Sequence, residues 1–311
     1  MQLSGIHHLT AISSDASGNH AFYTGMLGMR LVKKTVNQDD TTAYHLFYAD
    51  AEGRPGTDLT FFDWPTAPER RGTGSVVRTA LRVASGEALS WWLGRFATAG
   101  IPTRQVREDG RDGLALQDAE GQRLLLLDDG GIGDARPWSG SPVPAAYQIR
   151  GLGPITICIR EMAPTETFLV DILGMRRDRD FLAADGGTTT VFAMGQGGPT
   201  AELHVRVEPK LPAARQGAGG VHHVAFRIPD AAYDEWVDRL RRLGVRFSGP
   251  VDRFYFRSLY AREPGGILCE IATDGPGFTA DEPADQLGSK LALPPFLEPR
   301  RAAIEAGLKP L

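Results

Sequence analysis

The stretches GIHHLT at residues 5 to 10 and GLGPIT at 151 to 156 lie 146 residues apart, and FYTGMLGMR at 22 to 30 and FLVDILGMR at 168 to 176 keep that offset. Two matches at one spacing mark an internal duplication, which constrains the architecture more than any local pattern because each copy must fold alike. A weaker relation links SVVRTALRV at 75 to 83 with GVHHVAFRI at 220 to 228. It continues through Trp92 with Trp236 and through GI at 100 and 101 with GV at 244 and 245, allowing a one-residue gap. Four units therefore start near residues 5, 75, 151 and 220. A chain of 311 residues, set against roughly 150 per domain, suggests two domains.

Each unit opens on a β-rich run such as PITICIR or HHVAFRI. A helical segment follows: Phe22 and Met26, like Tyr23 and Leu27, are spaced to share one helical face. Gly28 and Gly174 come next and suit a helix C-terminus, where glycine accepts the left-handed conformation. Runs with turn punctuation complete the unit, as in TTAYHLFYAD, EGRPG and TDLTFFDW. The class expected is α+β with four βαβββ modules. Modules 1 and 2 fall in a first domain over 1–135, a Gly- and Pro-dense linker covers 136–150, and modules 3 and 4 form a second domain over 151–278. The remainder, 279–311, repeats nothing and reads as a docking extension with a short last helix.

Composition narrows the function. A net charge of −4 and a pI near 6.0 provide no basic field for nucleic acid or an anionic membrane surface. No apolar run approaches the roughly 20 residues that span a bilayer, and MQLSGIHHLT is unlike a signal peptide, so a cytoplasmic location is the default expectation. Cys158 and Cys269 sit in apolar strand-like runs and read as small packed hydrophobes.

The duplication also shows where the chain departs from its own pattern. His7 and His8 face Gly153 and Pro154 in the sister unit, and His222 and His223 face Val77 and Arg78. Histidines needed only to pack the strand would be expected in both copies. In GGILCEIATDG, Glu270 occupies the place of Leu125 in RLLLLDDG, and a carboxylate at a core-like position is costly unless paired or bound to metal. Two histidines and one carboxylate make the facial triad of non-haem Fe(II) oxygenases, with positions left open for substrate and dioxygen. Alternation along a strand lets one histidine of each pair face a given side, with Ile6, His8 and Thr10 on one face and His7 and Leu9 on the other. Which face is the site stays open on these grounds.

Taken together, the βαβββ units, GIHHLT, GVHHVAF and RFYFRSLYAREPGGILCEIATDGPGF resemble the vicinal oxygen chelate superfamily. YHLFYADAEGRPGTDLTFFDWP at 44 to 65 is similar to its hydroquinone and chlorohydroquinone ring-cleaving dioxygenases, and the likeness runs from about residue 3 to about 305. The resemblance implies curved mixed sheets and metal ligands at His8, His223 and Glu270. It also implies supporting roles for His7, Thr10, His222, Arg253 and Tyr260. The cofactor implied is Fe(II), with Mn(II) as a substitute, and the reactants are a small aromatic diol and dioxygen. Ring opening beside a hydroxylated carbon would follow, with Arg253 meeting developing negative charge and His7 and His222 as acid or base. Exposed sheet edges in such modules often pair, which is compatible with a homodimer or a higher homo-oligomer.

Other features carry less. His204 with Glu202 on the same strand face suggests a second metal site, although Pro154 supplies no ligand there. His45 is either pocket-lining or packed, and EDGRDG and DDGGIGD read as surface turns. Two competing functions keep the modules but change the chemistry. A glyoxalase-like isomerase or thiol transferase resembles a four-ligand site, and DLTFFDWP shows no acid matching Glu270. A drug-sequestering protein resembles a metal-free aromatic cup.

Overall fold

The computed structural model describes residues 1–311. Four βαβββ modules are present. Module 1 comprises β1 (Ile6–Ser13), α1 (Ala16–His20), β2 (Arg30–Val36), β3 (Tyr44–Ala49) and β4 (Asp58–Asp63). Module 2 comprises β5 (Ser75–Val83), α2 (Gly86–Thr98), β6 (Arg104–Glu108), β7 (Arg111–Gln117) and β8 (Arg123–Asp128). Module 3 comprises β9 (Leu152–Ile159), α3 (Met162–Thr167), β10 (Arg176–Leu182), β11 (Thr188–Ala193) and β12 (Glu202–Val207). Module 4 comprises β13 (Val221–Ile228), α4 (Tyr233–Arg242), β14 (Val251–Asp252), β15 (Arg257–Arg262) and β16 (Leu268–Thr273).

The helices after β1 and β9 are less regular than their spacing predicts. Each widens in its second half, so that the amide of Leu27 reaches the carbonyl of Phe22 and that of Leu173 reaches Phe168, five residues back. Gly28 and Gly174 then end the turns at φ 69° and 70°, as their type requires.

The sheets do not follow the chain halves. One eight-stranded sheet has the order β14-β15-β16-β13-β1-β4-β3-β2, joining module 4 to module 1, and the other has the order β10-β11-β12-β9-β5-β8-β7-β6, joining module 3 to module 2. The partition expected at 136–150 is therefore not the partition of the sheets. The reason lies in long-range edge pairing: β1 runs antiparallel to β13, and β5 antiparallel to β9. The expected linker is itself packed, with Val143 buried and Ser141 Oγ donating to the carbonyl of Gly28 at 2.7 Å.

Alternation sorts the faces. Leu9, Val224, Phe226, Cys269 and Ile271 share the main core with Trp92 of α2 and Trp236 of α4. The opposite face of the first sheet carries His223, Ala225, Glu270 and Ala272, and it forms a cup. The segment after β16 packs on module 1 and ends in α5 (Arg301–Gly307). Lys33 is fully buried against the carboxylates of Asp281 and Glu282, and Leu293, Leu297 and Ile304 pack on Val36. No helix is long and apolar enough to cross a membrane.

Candidate metal centre

Pairing of β1 with β13 is symmetrical about Leu9 and Val224, so that His8 faces Ala225 and Thr10 faces His223. The ladder slips between Ile6 and His8 and again between Thr10 and Ala11, where the partners are His223 and Val221. His7 and His222 are thus the extra residues of two β-bulges, which re-aim side chains that strict alternation would turn away. The sister sheet slips at the corresponding places, between Val76 and Arg78 and between Thr79 and Leu81. The bulges therefore belong to the fold, and the histidines exploit them.

Within the cup, His8 Nε2 lies 3.2 Å from Glu270 Oε2, His223 Nε2 lies 2.9 Å from the same oxygen, and the two Nε2 atoms are 3.2 Å apart. All three side chains are buried, and Glu270 Oε2 has no hydrogen-bond partner despite these distances. Ser258 Oγ donates to the other oxygen, Oε1, and fixes the carboxylate.

Protons can be assigned along one arm. His7 Nε2 lies 3.0 Å from the carbonyl of Thr273, which can only accept, so Nε2 carries the proton. Burial, with the neighbouring His8 imidazole, pushes the His7 pKa down to about 3, which leaves its Nδ1 bare. That Nδ1 is 2.9 Å from His8 Nδ1 and accepts from it, which turns His8 Nε2 toward the cup. His222 Nδ1 meets His223 Nδ1 in the same manner at 2.8 Å. Burial by itself opposes ionisation of Glu270, but the His8 and His223 imidazoles hold its carboxyl well below the ordinary range. Two ring nitrogens and a carboxylate oxygen converging at this distance could share a cation. The donor set of two imidazoles and one carboxylate, with one carboxylate oxygen already occupied, fits a divalent transition metal.

The expected supporting residues sit around this point. Thr10 Oγ1 is 3.0 Å from His223 Nε2. Tyr260 pairs with Glu270 across β15 and β16, and burial and the Glu270 carboxylate raise its pKa. Arg253 Nε donates to Tyr260 Oη at 3.2 Å, its Nη2 donates to Asp39 at 2.9 Å, and the guanidinium lies over the Tyr260 ring. Phe254, in the same turn, is held at φ 70°, a strained conformation for a bulky residue.

Sequence reasoning missed several residues. Ser258 is one, although its position two before Tyr260 in an apolar strand was a visible signal. Phe256 is another, with its ring 5.2 Å from those of both His7 and His8. Thr60 is a third: it pairs with Thr10 as Glu270 pairs with Ala225, and so stands where a fourth ligand from module 1 would be. A cavity of about 290 Å³ opens above the cup, walled by Phe47, Phe62, Trp64, Phe256 and His45. Since about 150 Å³ suffices for benzene, one substituted ring fits.

The second sheet holds a different arrangement. Pro154, Arg78 and Leu125 stand at the positions of His8, His223 and Glu270. Asp109, Glu202 and His204 do cluster there, but Arg179 pairs with both carboxylates and Arg111 Nη1 lies 3.1 Å from Glu202. These guanidiniums already neutralise the acids.

The Glyoxalase/Bleomycin resistance protein/Dioxygenase superfamily model matches residues 5–124 and 151–271. The chain belongs to this superfamily. Within it, the chain is 46% identical over 315 residues, covering both proteins fully, to MhqA of Bacillus subtilis (strain 168), which carries a provisional ring-cleaving dioxygenase name. It is 31% identical over 307 residues to the chlorohydroquinone/hydroquinone 1,2-dioxygenase of Sphingobium indicum, covering 96% of this chain and 93% of that one. A crystal structure of a provisionally named dioxygenase from Bacillus subtilis superposes with a TM-score of 0.91 at 34% identity, covering 100% and 98% of the two chains. Glyoxalase I from Zea mays, at 16% identity and a TM-score of 0.63 over 89% of this chain and 93% of that one, shares the superfamily fold alone.

Proposed function

We propose that this protein is a metal-dependent dioxygenase that opens the ring of a hydroquinone-type diol with dioxygen. His8, His223 and Glu270 would hold the metal, Fe(II) or in its place Mn(II). The observation that carries the reading is the convergence of two Nε2 atoms and the unpartnered Glu270 Oε2 at the floor of an aromatic-walled cavity. The names of the relatives supply the reaction class.

When bound, the metal supplies adjacent positions for an ionised substrate oxygen and for dioxygen, and lets electron density pass between them. The protein does the rest. Phe47, Phe62 and Phe256 hold the ring and exclude water, and Arg253 offers a permanent guanidinium to charge developing on the substrate oxygen. Tyr260, bonded to Arg253 and facing Glu270, places a hydroxyl beside that oxygen. His7 is closed off by the Thr273 carbonyl and orients His8. The half-buried His222 lines the cavity between Phe62 and Trp64, and burial and the His223 imidazole push its pKa down to about 3.

Thr60 in the place of a fourth ligand disfavours a glyoxalase-like reaction. The test is anaerobic loading with Fe(II) followed by oxygen uptake on hydroquinone, methylhydroquinone, chlorohydroquinones and catechol. Uptake with a para-diol, abolished together with bound metal in Glu270→Ala, is the expected result. A metal-loaded protein that consumes no oxygen with any of these diols overturns the reading.

A further inference from the structure

The reaction above concerns one hydroxyl of the diol and leaves the other without an assigned neighbour. Two polar groups on the cavity wall are also without a use. Thr35 on β2 and His45 on β3 are direct cross-strand partners, and both line the cavity. Thr35 Oγ1 is buried near the Tyr255 hydroxyl without a well-formed hydrogen bond, an arrangement that carries a penalty unless something polar is received there. His45 has one side-chain hydrogen bond, from Nε2 to Thr60 Oγ1 at 2.9 Å. Thr60 Oγ1 donates in turn to Thr10 Oγ1 at 2.8 Å, so toward His45 it acts as acceptor. With the Thr60 proton so directed, the His45 proton lies on Nε2, and Nδ1 keeps a lone pair with no protein partner.

Burial, reinforced by the His8 and His223 imidazoles, holds the His45 pKa well below its ordinary value, so the ring is a neutral acceptor and not a base. Its place is set by the same chain. Two hydrogen bonds, His45 to Thr60 to Thr10, and a further 3.0 Å from Thr10 Oγ1 to His223 Nε2 separate it from the proposed ligands. The ring packs at a tilt against Phe47 and Phe62, with centroids 4.0 Å and 4.4 Å away, which are the walls that would flank a substrate ring.

We propose that Thr35 and His45 form a subsite for the second hydroxyl of a para-diol, with Thr35 Oγ1 donating to that oxygen and His45 Nδ1 accepting its proton in a hydrogen bond. A hydroxyl needs one donor and one acceptor, and this pair supplies both. An ortho-diol carries its second hydroxyl beside the first, out of reach. This inference rests on the dioxygenase reading for the position of the first hydroxyl.

The test is anaerobic binding of hydroquinone and of phenol to the Fe(II)-loaded protein, with metal content measured in every variant. The wild type is expected to prefer hydroquinone about tenfold, the equivalent of about 1.4 kcal/mol. His45→Phe and Thr35→Val should bring the ratio near one while phenol affinity and metal content hold, and His45→Gln, which restores an acceptor, should recover part of it. A wild type without preference, or a ratio unchanged in His45→Phe and Thr35→Val, overturns the subsite. So does a ratio lost only in Tyr260→Phe. Oxygen uptake separates the two readings. Uptake with an unaffected ratio removes the subsite and leaves the dioxygenase. A ratio that depends on His45 without uptake on any diol does the reverse.

Discussion

The two sheets of this protein match strand for strand, down to the bulges in their central ladders, yet their cups hold opposite electrostatics. In the first, His8, His223 and Glu270 turn lone pairs toward one point and no protein cation stands among them. In the second, Pro154, Arg78 and Leu125 occupy those positions, and the acids Asp109 and Glu202 are neutralised by Arg111 and Arg179. The same backbone thus builds either a cup with no protein cation among its ligating groups or one that carries its own. The difference lies in side chains, at the three aligned positions and in the guanidiniums of Arg111 and Arg179, because the bulges and the pairing are common to both.

The largest effect expected is at the first cup. His8→Ala or His223→Ala should remove bound metal and reduce oxygen uptake by about a thousandfold or more, since a site with two protein ligands loses both affinity and geometry. Metal analysis and uptake assays check this, and Arg78→Ala, at the position matching His223 in the other cup, should leave metal content unchanged.

The second cup should respond in stability instead. Arg179→Ala leaves Glu202 buried with only Arg111 and His204 beside it, and it should cost about 3 kcal/mol in a denaturant titration. Metal stoichiometry should stay as it was. A fall in bound metal in this variant would mean that the second cup also takes an ion.

Smaller effects come from the residues that hold the ligands. Ser258→Ala frees the second oxygen of Glu270 and should weaken metal binding by about 10- to 100-fold, measured by competition with a chelator.

Acid should act through His7 in the metal-free protein. Its folded-state pKa is about 3 against 6.5 for the free side chain, so between these values the unfolded chain binds the extra proton. Stability therefore falls as pH drops through that window, by about 2 kcal/mol from pH 7 to pH 5 for this residue. The loss should shrink by that amount in His7→Gln.

Much of the site was legible in the sequence because the chain contains its own control. Comparison of GIHHLT with GLGPIT, and of ILCEIAT with RLLLLDD, singles out the pair His7 and His8 together with Glu270 without any structure, and leaves open which histidine faces the cup. What stayed hidden depends on contacts between distant segments. The joining of module 1 to module 4 is an edge pairing of β1 with β13, 215 residues apart at His8 and His223, and periodicity says nothing about it. The roles of His7 and His222 turned on bulges, since strict alternation would have pointed both away. Thr35, Thr60 and His45 are ordinary strand residues by sequence, and only the register β2-β3-β4 shows that they share one wall.

The contrast between the cups reduces to one number, the metal ions bound per chain. Anaerobic titration of metal-free protein with Mn(II), followed by its magnetic resonance signal, should saturate at one ion per chain in the wild type and in Arg179→Ala. It should show none held by Glu270→Ala. Two ions per chain, or one retained after Glu270→Ala, would contradict the assignment of the cation to His8, His223 and Glu270.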